Sequence, residues 1–70
     1  MKFQVESSVF TDLRYSPPEM KLTIKFKTGN IYEYFDVSED ILQNLLKSES
    51  KGQYFNRNIR NNYKFIRRGK

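Results

Sequence analysis

The stretch KLTIKFKTGNIYEYF, Lys21 to Phe35, decides the fold. Leu22, Ile24 and Phe26 alternate with Lys21, Thr23, Lys25 and Lys27, the period of two that a half-buried strand requires. Lys27-Thr28-Gly29-Asn30 then forms a tight turn, in which Gly29 is free to take a positive φ. Ile31-Tyr32-Glu33-Tyr34-Phe35 is the returning strand. The register depends on the turn, because a slip of one residue moves every side chain to the other face. A three-residue loop, Lys27-Thr28-Gly29 with Gly29 as a bulge, puts Tyr32 and Tyr34 on the face of Ile24 and Leu22. A two-residue Thr28-Gly29 loop sets the tyrosines opposite Lys25 and Thr23. The bulge is the better solution, because it keeps the charge of Glu33 off the apolar face.

Working outward toward the N-terminus, Val9, Thr11, Leu13 and Tyr15 alternate with Phe10, Asp12 and Arg14 as an earlier strand. Ser16-Pro17-Pro18-Glu19 ends it, since proline cannot donate to a ladder. Residues 1–8 read as loosely structured, with Ser7-Ser8 as the entry to that strand. Toward the C-terminus, Ser38 is a suitable N-cap. Glu39 and Asp40 complement the positive end of a helix dipole. Ile41, Leu42, Leu45 and Leu46 form a stripe at helical spacing, and residues 48–52 close that helix. A second, shorter helix is expected over 53–61, with Phe55, Ile59 and Tyr63 in one quadrant and Arg57, Arg60 and Lys64 on the far side. Phe65-Ile66-Arg67-Arg68 is either a short further strand or a tail. The expected architecture is α+β: three antiparallel strands, an amphipathic helix, then a shorter basic helix.

Seventy residues make one domain. A chain of this length buries only about 60% of its unfolded surface. It has no cysteine and no histidine, so neither a disulfide nor a Cys/His zinc site is available. Aromatic and aliphatic burial must supply the core, with self-association into a homo-oligomer as a further source. No apolar run reaches the ~18 residues that span a bilayer. Nor does the N-terminus carry the apolar stretch of a signal peptide. The expectation is a cytoplasmic protein without a membrane partner.

Charge is distributed unevenly. Residues 51–70 hold seven Lys or Arg and no acid, whereas residues 1–50 hold six basic and eight acidic side chains. Basic groups neutralise phosphates, and flat rings such as Tyr54, Phe55, Tyr63 and Phe65 can stack on bases. Nucleic acid is therefore the first partner to consider. Lys51, Arg57, Arg60, Lys64, Arg67 and Arg68 would contact phosphates, and Tyr54, off the apolar quadrant of its helix, would stack. Lys21, Lys25 and Lys27 extend this patch if the polar sheet face points the same way. The alternative is a solvated face that keeps a small domain dispersed. Asn56, Asn58, Asn61 and Asn62 have amides that could read base edges, but they could equally close the helix. A structural hydrogen bond is the favoured role for Asn56, and helix termination for Asn61-Asn62. Tyr32 and Tyr34 are a stacking platform if exposed and core if covered; the bulged register favours core. Catalysis finds little support: the usual nucleophile and base pairs are missing, no Gly-rich phosphate loop is present, and no cofactor is implied. Asp12, Glu33 and Asp36 are the only acids that could meet in space.

Taken together, several segments resemble a known family. These are Ser7-Ser8-Val9; Leu13 and Tyr15; Leu22-x-Ile24-x-Phe26 leading to Gly29; Tyr32-x-Tyr34-Phe35-x-Val37; and Ser50-Lys51-Gly52-x-Tyr54-Phe55-Asn56-x-x-Ile59-Arg60 with Tyr63. In this order and spacing they are similar to the KTSC domain, named for the C-terminal region of some lysyl-tRNA synthetases. That domain also stands alone in bacteria, phages and other viruses. The resemblance covers about residues 7–66, leaving a basic tail at 67–70. It implies a small α+β domain and, through the synthetase context, RNA as the favoured nucleic acid. A viral origin would place the protein in the host cytoplasm. The rival reading is a small interaction module whose basic surface meets an acidic host protein.

Overall fold

The computed structural model describes residues 2–5 and 7–69; Met1, Glu6 and Lys70, the last of the expected basic tail, lie outside them. Five strands form one antiparallel sheet in the order β1-β2-β3-β4-β5: Lys2–Gln4, Phe10–Ser16, Lys21–Phe26, Ile31–Tyr34 and Phe65–Gly69. Two helices, α1 (Glu39–Lys47) and α2 (Lys51–Asn58), lie between β4 and β5 in the chain. The α+β class and the three central strands are as expected. The sheet has five strands rather than three.

The hairpin of β3 and β4 takes the bulged form. The Gly29 amide donates to the Phe26 carbonyl and the Phe26 amide donates to the Asn30 carbonyl, both at 2.9 Å, with Gly29 at φ 96°. Leu22 therefore pairs with Tyr34, and Ile24 with Tyr32. Glu33 points to the other face, where Lys21 Nζ lies 3.6 Å and Arg68 Nε 3.7 Å from its carboxylate.

A second irregularity corrects the reading of β2. Phe10 pairs with Phe26 but Asp12 with Lys25, so Thr11 is an extra residue. The bulge shifts the phase of alternation. Phe10 thereby joins Leu13 and Tyr15 in the core, and all three are buried. Strict period two had set Phe10 on the opposite face.

The first strand also departs from expectation. Residues 2–4 pair with β2, Phe3 opposite Leu13, and Phe3 and Val5 pack on the core. β5 resolves the open choice at the C-terminus as a strand. Phe65 pairs with Tyr34 and Arg67 with Tyr32, while the step from Arg67 to Gly69 against Tyr32 and Ile31 leaves Arg68 as a bulge.

Helix α1 starts where Ser38 Oγ accepts from the Ile41 amide, and it buries Leu42 and Leu45. It stops at Lys47, and α2 begins already at Lys51, two residues earlier than expected. Gly52 therefore lies in the first turn of α2 and does not end α1. A Cβ on Gly52 would stand 2.7 Å from Val9 Cγ2, so the missing side chain lets α2 approach the sheet. Phe55 and Ile59 then enter the core. Below the helices, the Tyr15 hydroxyl donates to the Val37 carbonyl at 2.6 Å. The Val37 amide donates to the carbonyl of Met20, which is held at φ 50°.

Three stability outcomes follow, each read from urea unfolding. Gly52→Ala should cost about 1–3 kcal/mol by overpacking against a stiff β-branched side chain. Combined with Val9→Ala, it should cost less than the two single changes added together. Tyr15→Phe should cost about 1–3 kcal/mol by removing a donor from a buried carbonyl, and an unchanged midpoint would show that this hydrogen bond contributes nothing. Met20→Gly should raise stability by roughly 0.5–1 kcal/mol, since a left-handed backbone strains a residue with a Cβ.

Candidate functional site

The sheet presents two faces of different character. The face toward the helices carries Leu13, Tyr15, Leu22, Ile24, Tyr32, Tyr34 and Phe65. The outer face carries Lys2, Arg14, Lys21, Thr23, Lys25 and Glu33, by the strand pairing and alternation. Lys21 and Lys25 thus lie on the side away from the helices. Of the basic C-terminal set they adjoin Arg68 alone, which shares the Glu33 carboxylate with Lys21, and they lie on the opposite side of the sheet from Arg60 and Arg67. A shallow groove of about 320 Å³ there is lined by Lys2, Arg14, Thr23 and Lys25 among others.

The helix side carries the larger opening. Phe55 packs edge-on against Phe10, Phe26 and Tyr34, with ring centroids 5.5–6.2 Å apart. Phe26 meets Tyr32 in the same manner at 5.5 Å. Phe65, on the edge strand, lies 5.4 Å from Tyr32 and 5.3 Å from Tyr34, tilted by 36° to both. Aromatic pairs at these separations are favourable beyond the area they bury. The rings run without a gap from the core to the surface, and the last of them, Phe65, is 48% exposed.

Above these rings is a cleft of about 590 Å³, within the size range of small-molecule sites. Tyr32, Tyr34, Phe55 and Phe65 supply apolar lining, and Asn56, Arg60 and Asn61 overhang it from the end of α2 and the following turn. That turn is set by two bonds to one carbonyl: the amides of Ile59 and Arg60 both donate to Phe55 at 2.9 Å. Closing the helix in this way projects Arg60 and Asn61 over the cleft.

The four asparagines separate into two pairs. Asn58 Nδ2 donates to the Tyr54 carbonyl at 3.2 Å and Asn62 Nδ2 to the Asn58 carbonyl at 2.9 Å, so both close the helix. Asn56 and Asn61 line the cleft with side-chain amides that make no hydrogen bond among the described residues. This corrects the structural bond expected for Asn56. Asn62, and not Asn61, provides the side-chain termination.

The basic residues are also divided. Arg57 and Arg60 are exposed at the end of α2 and just beyond it, and Lys64 is exposed before β5. Arg67 stands across from Tyr32 on the cleft side of the sheet, and Arg68 reaches Glu33 on the outer side. Lys51 Nζ donates to the Ser48 carbonyl at 3.1 Å, which ties its ammonium to the turn between the helices. Tyr54 is half-buried against the core and has no ring partner among the described residues. Arg60 is therefore the basic side chain that lines the aromatic opening, with Arg67 across from Tyr32 on the same side of the sheet. Phe65 is among the rings expected in the basic segment, whereas Phe26 and Tyr32 are rings that the charge pattern did not assign to a site. The signal was present in the period of Phe65 and Arg67 on one strand and in the bulged register of Tyr32.

Among the described residues no group of three or more acidic side chains comes together, so Asp12, Glu33 and Asp36 form no shared site. Among the described residues no helix is long and apolar enough to cross a membrane. Burial pushes the Tyr34 hydroxyl up to about 12, with the neighbouring Tyr32 adding to the rise and Arg60 opposing it.

Residues 6–63 match the KTSC domain, and the chain belongs to that family. It is 40% identical over 60 residues to the lysine–tRNA ligase of Nostoc punctiforme, covering 86% of this chain but 11% of the ligase. It is 35% identical to a protein of Stutzerimonas stutzeri, covering 74% of this chain and 73% of that protein. The crystal structure of a KTSC domain protein from Yersinia pestis superposes with a TM-score of 0.93 at 29% identity, covering 99% of this chain and 97% of that one. The chain thus spans only about a tenth of the length of the ligases it matches.

Tyr34 gives a titration that checks the packing. Its folded-state value lies above the ordinary tyrosine value of 10. The proton is held more tightly in the folded chain, so the stabilising effect is complete below pH ~10 and is lost as pH rises toward ~12. Burial also pushes the Tyr15 hydroxyl up, so ultraviolet titration should show late-ionising absorbance, part of which disappears in Tyr34→Phe while the Tyr15 part remains. Ionisation of all five tyrosines near pH 10 would contradict the buried placement.

Proposed function

We propose that this KTSC-family chain is a non-catalytic nucleic-acid-binding module that favours RNA. One observation carries the reading. Arg57, Arg60, Lys64 and Arg67 are exposed and unpaired by any acid among the described residues; Arg60 lines an opening walled by aromatic rings, and Arg67 stands across from Tyr32 on the same side of the sheet. A solvated surface usually interleaves both signs of charge, and segment 51–70 does not. Cations beside stacking faces are the combination that binds single-stranded nucleic acid. Lys51 and Arg68 contribute at the margins, since each already has a partner. Tyr54 has a secondary role, because the exposed ring is that of Phe65.

The preference for RNA is supported by the relatives. Lysine–tRNA ligases act on tRNA, and a region covering 11% of one such enzyme is 40% identical to this chain.

Fluorescence anisotropy of labelled tRNA, with equal-length duplex DNA as competitor, tests the reading. Binding should weaken steeply between low and physiological salt and should resist the DNA. Arg57→Glu with Arg60→Glu should leave the circular dichroism spectrum unchanged and reduce affinity at least about tenfold, with the salt slope falling by about 2. Unchanged affinity in the folded double variant would reject the assignment. Equal competition by DNA would reject the preference for RNA.

A further inference from the structure

The aromatic cleft has features that binding to phosphates does not require. Its wall includes aromatic rings, its lining includes three asparagines, Asn30, Asn56 and Asn61, whose side-chain amides make no hydrogen bond among the described residues, and it contains no acid. Phosphate contacts need only exposed cations, which the chain has elsewhere on Arg57 and Lys64. Phe65 is 48% exposed and lies beside the half-buried Tyr32, so ring surface in the cleft is accessible to a ligand. Flat rings beside amides that can both donate and accept match a nucleobase, which has apolar faces and a hydrogen-bonding edge.

We infer that the cleft between Phe65, Tyr32 and the turn at Arg60 receives one unstacked base of a single-stranded nucleic acid. The face of the base lies on Phe65 and Tyr32. Its edge meets the amides of Asn56 and Asn61, and its flanking phosphates meet Arg60 and Arg67. The size of the cleft, about 590 Å³, accommodates one nucleotide with room for solvent. Tyr32 and Phe65 are held 5.4 Å apart by adjacent strands, so the stacking surface exists before the ligand arrives. Double-stranded ligands are excluded from this contact, because a paired base offers no free face.

This inference rests on the nucleic-acid reading above, and the experiment separates the two. The full chain is titrated by anisotropy with a short labelled single-stranded RNA and with a strand of the same length and charge whose central sugars lack bases. The intact strand should bind about tenfold more tightly than the abasic strand. Phe65→Ala should bring the two affinities together. Phe65→Leu, which keeps apolar bulk without a flat face, should do the same and guards against loss of folding. Arg60→Gln should weaken both strands while preserving most of their ratio. Arg14→Glu, on the outer face, should leave the ratio unchanged. Equal binding of intact and abasic strands by the native chain would overturn the base pocket and leave phosphate binding standing. Absence of binding to either strand would overturn both.

Discussion

The placement of Gly29 at φ 96° is the constraint on which the rest of the structure depends. A three-residue loop closed by this glycine fixes the β3–β4 register, and the register decides which face receives two tyrosines. With Tyr34 opposite Leu22, its ring points toward the helices and meets Phe55 at 5.5 Å. Glu33 is turned to the outer face, where Lys21 and Arg68 are within reach. The opposite register would leave both tyrosines wet and place a carboxylate under α2. Phe55, brought in by the close approach of α2 at Gly52 and Val9, would keep Phe10 and Phe26 but lose the Tyr34 ring.

Most of the central architecture was legible because its signals are local. Alternation in residues 21–26, a glycine in the turn and an apolar stripe at 41, 42, 45 and 46 each act over a few residues. What escaped depends on partners distant in sequence. The bulge at Thr11 is fixed by pairing with Phe26 and Lys25, which alternation within β2 cannot register. Strand β1 is three residues long and gains its identity from lying beside Leu13. Strand β5 is an edge with exposed side chains on both faces, so hydrophobicity marks neither. The start of α2 was misread for a related reason. Gly52 looks like a helix terminator, but here it is a contact point, and only the position of Val9 distinguishes the two.

The site was partly legible on the same terms. Charge counting found the segment that supplies Arg60 and Arg67, because uncompensated charge is a property of composition. It could not divide the set. Adjacent residues on a strand face opposite ways, and Arg68, the bulged residue, pairs with Glu33 while Arg67 stands beside Tyr32. Lys51 is likewise engaged by the Ser48 carbonyl. The asparagines divide according to whether a helix carbonyl lies within reach of each amide, which depends on where α2 ends. For Tyr32 the choice between core and platform had no single answer: the ring is half-buried, packed on Phe26 on one side and turned to the cleft beside Phe65 on the other.

A domain of seventy residues has little apolar material to separate a core from a binding surface. In the proposed reading the two are one structure: the chain of rings that starts at Phe10 ends at Phe65 in the cleft. Any ligand covering Phe65 and Tyr32 removes apolar surface from water next to the core, so binding and stability are linked by mass action. The linkage also explains why position along the ring chain governs the effect of a substitution. Changes at Phe10 or Phe55 open a cavity in a fully packed interior, where the loss of folding masks any loss of binding. At Phe65, nearly half exposed on an edge strand, the ring can be removed with little disturbance to the interior. Under the proposed reading, function in so small a domain is therefore separable from folding only at the outer end of the ring chain, where Phe65 packs on Tyr32 and Tyr34 and is nearly half exposed.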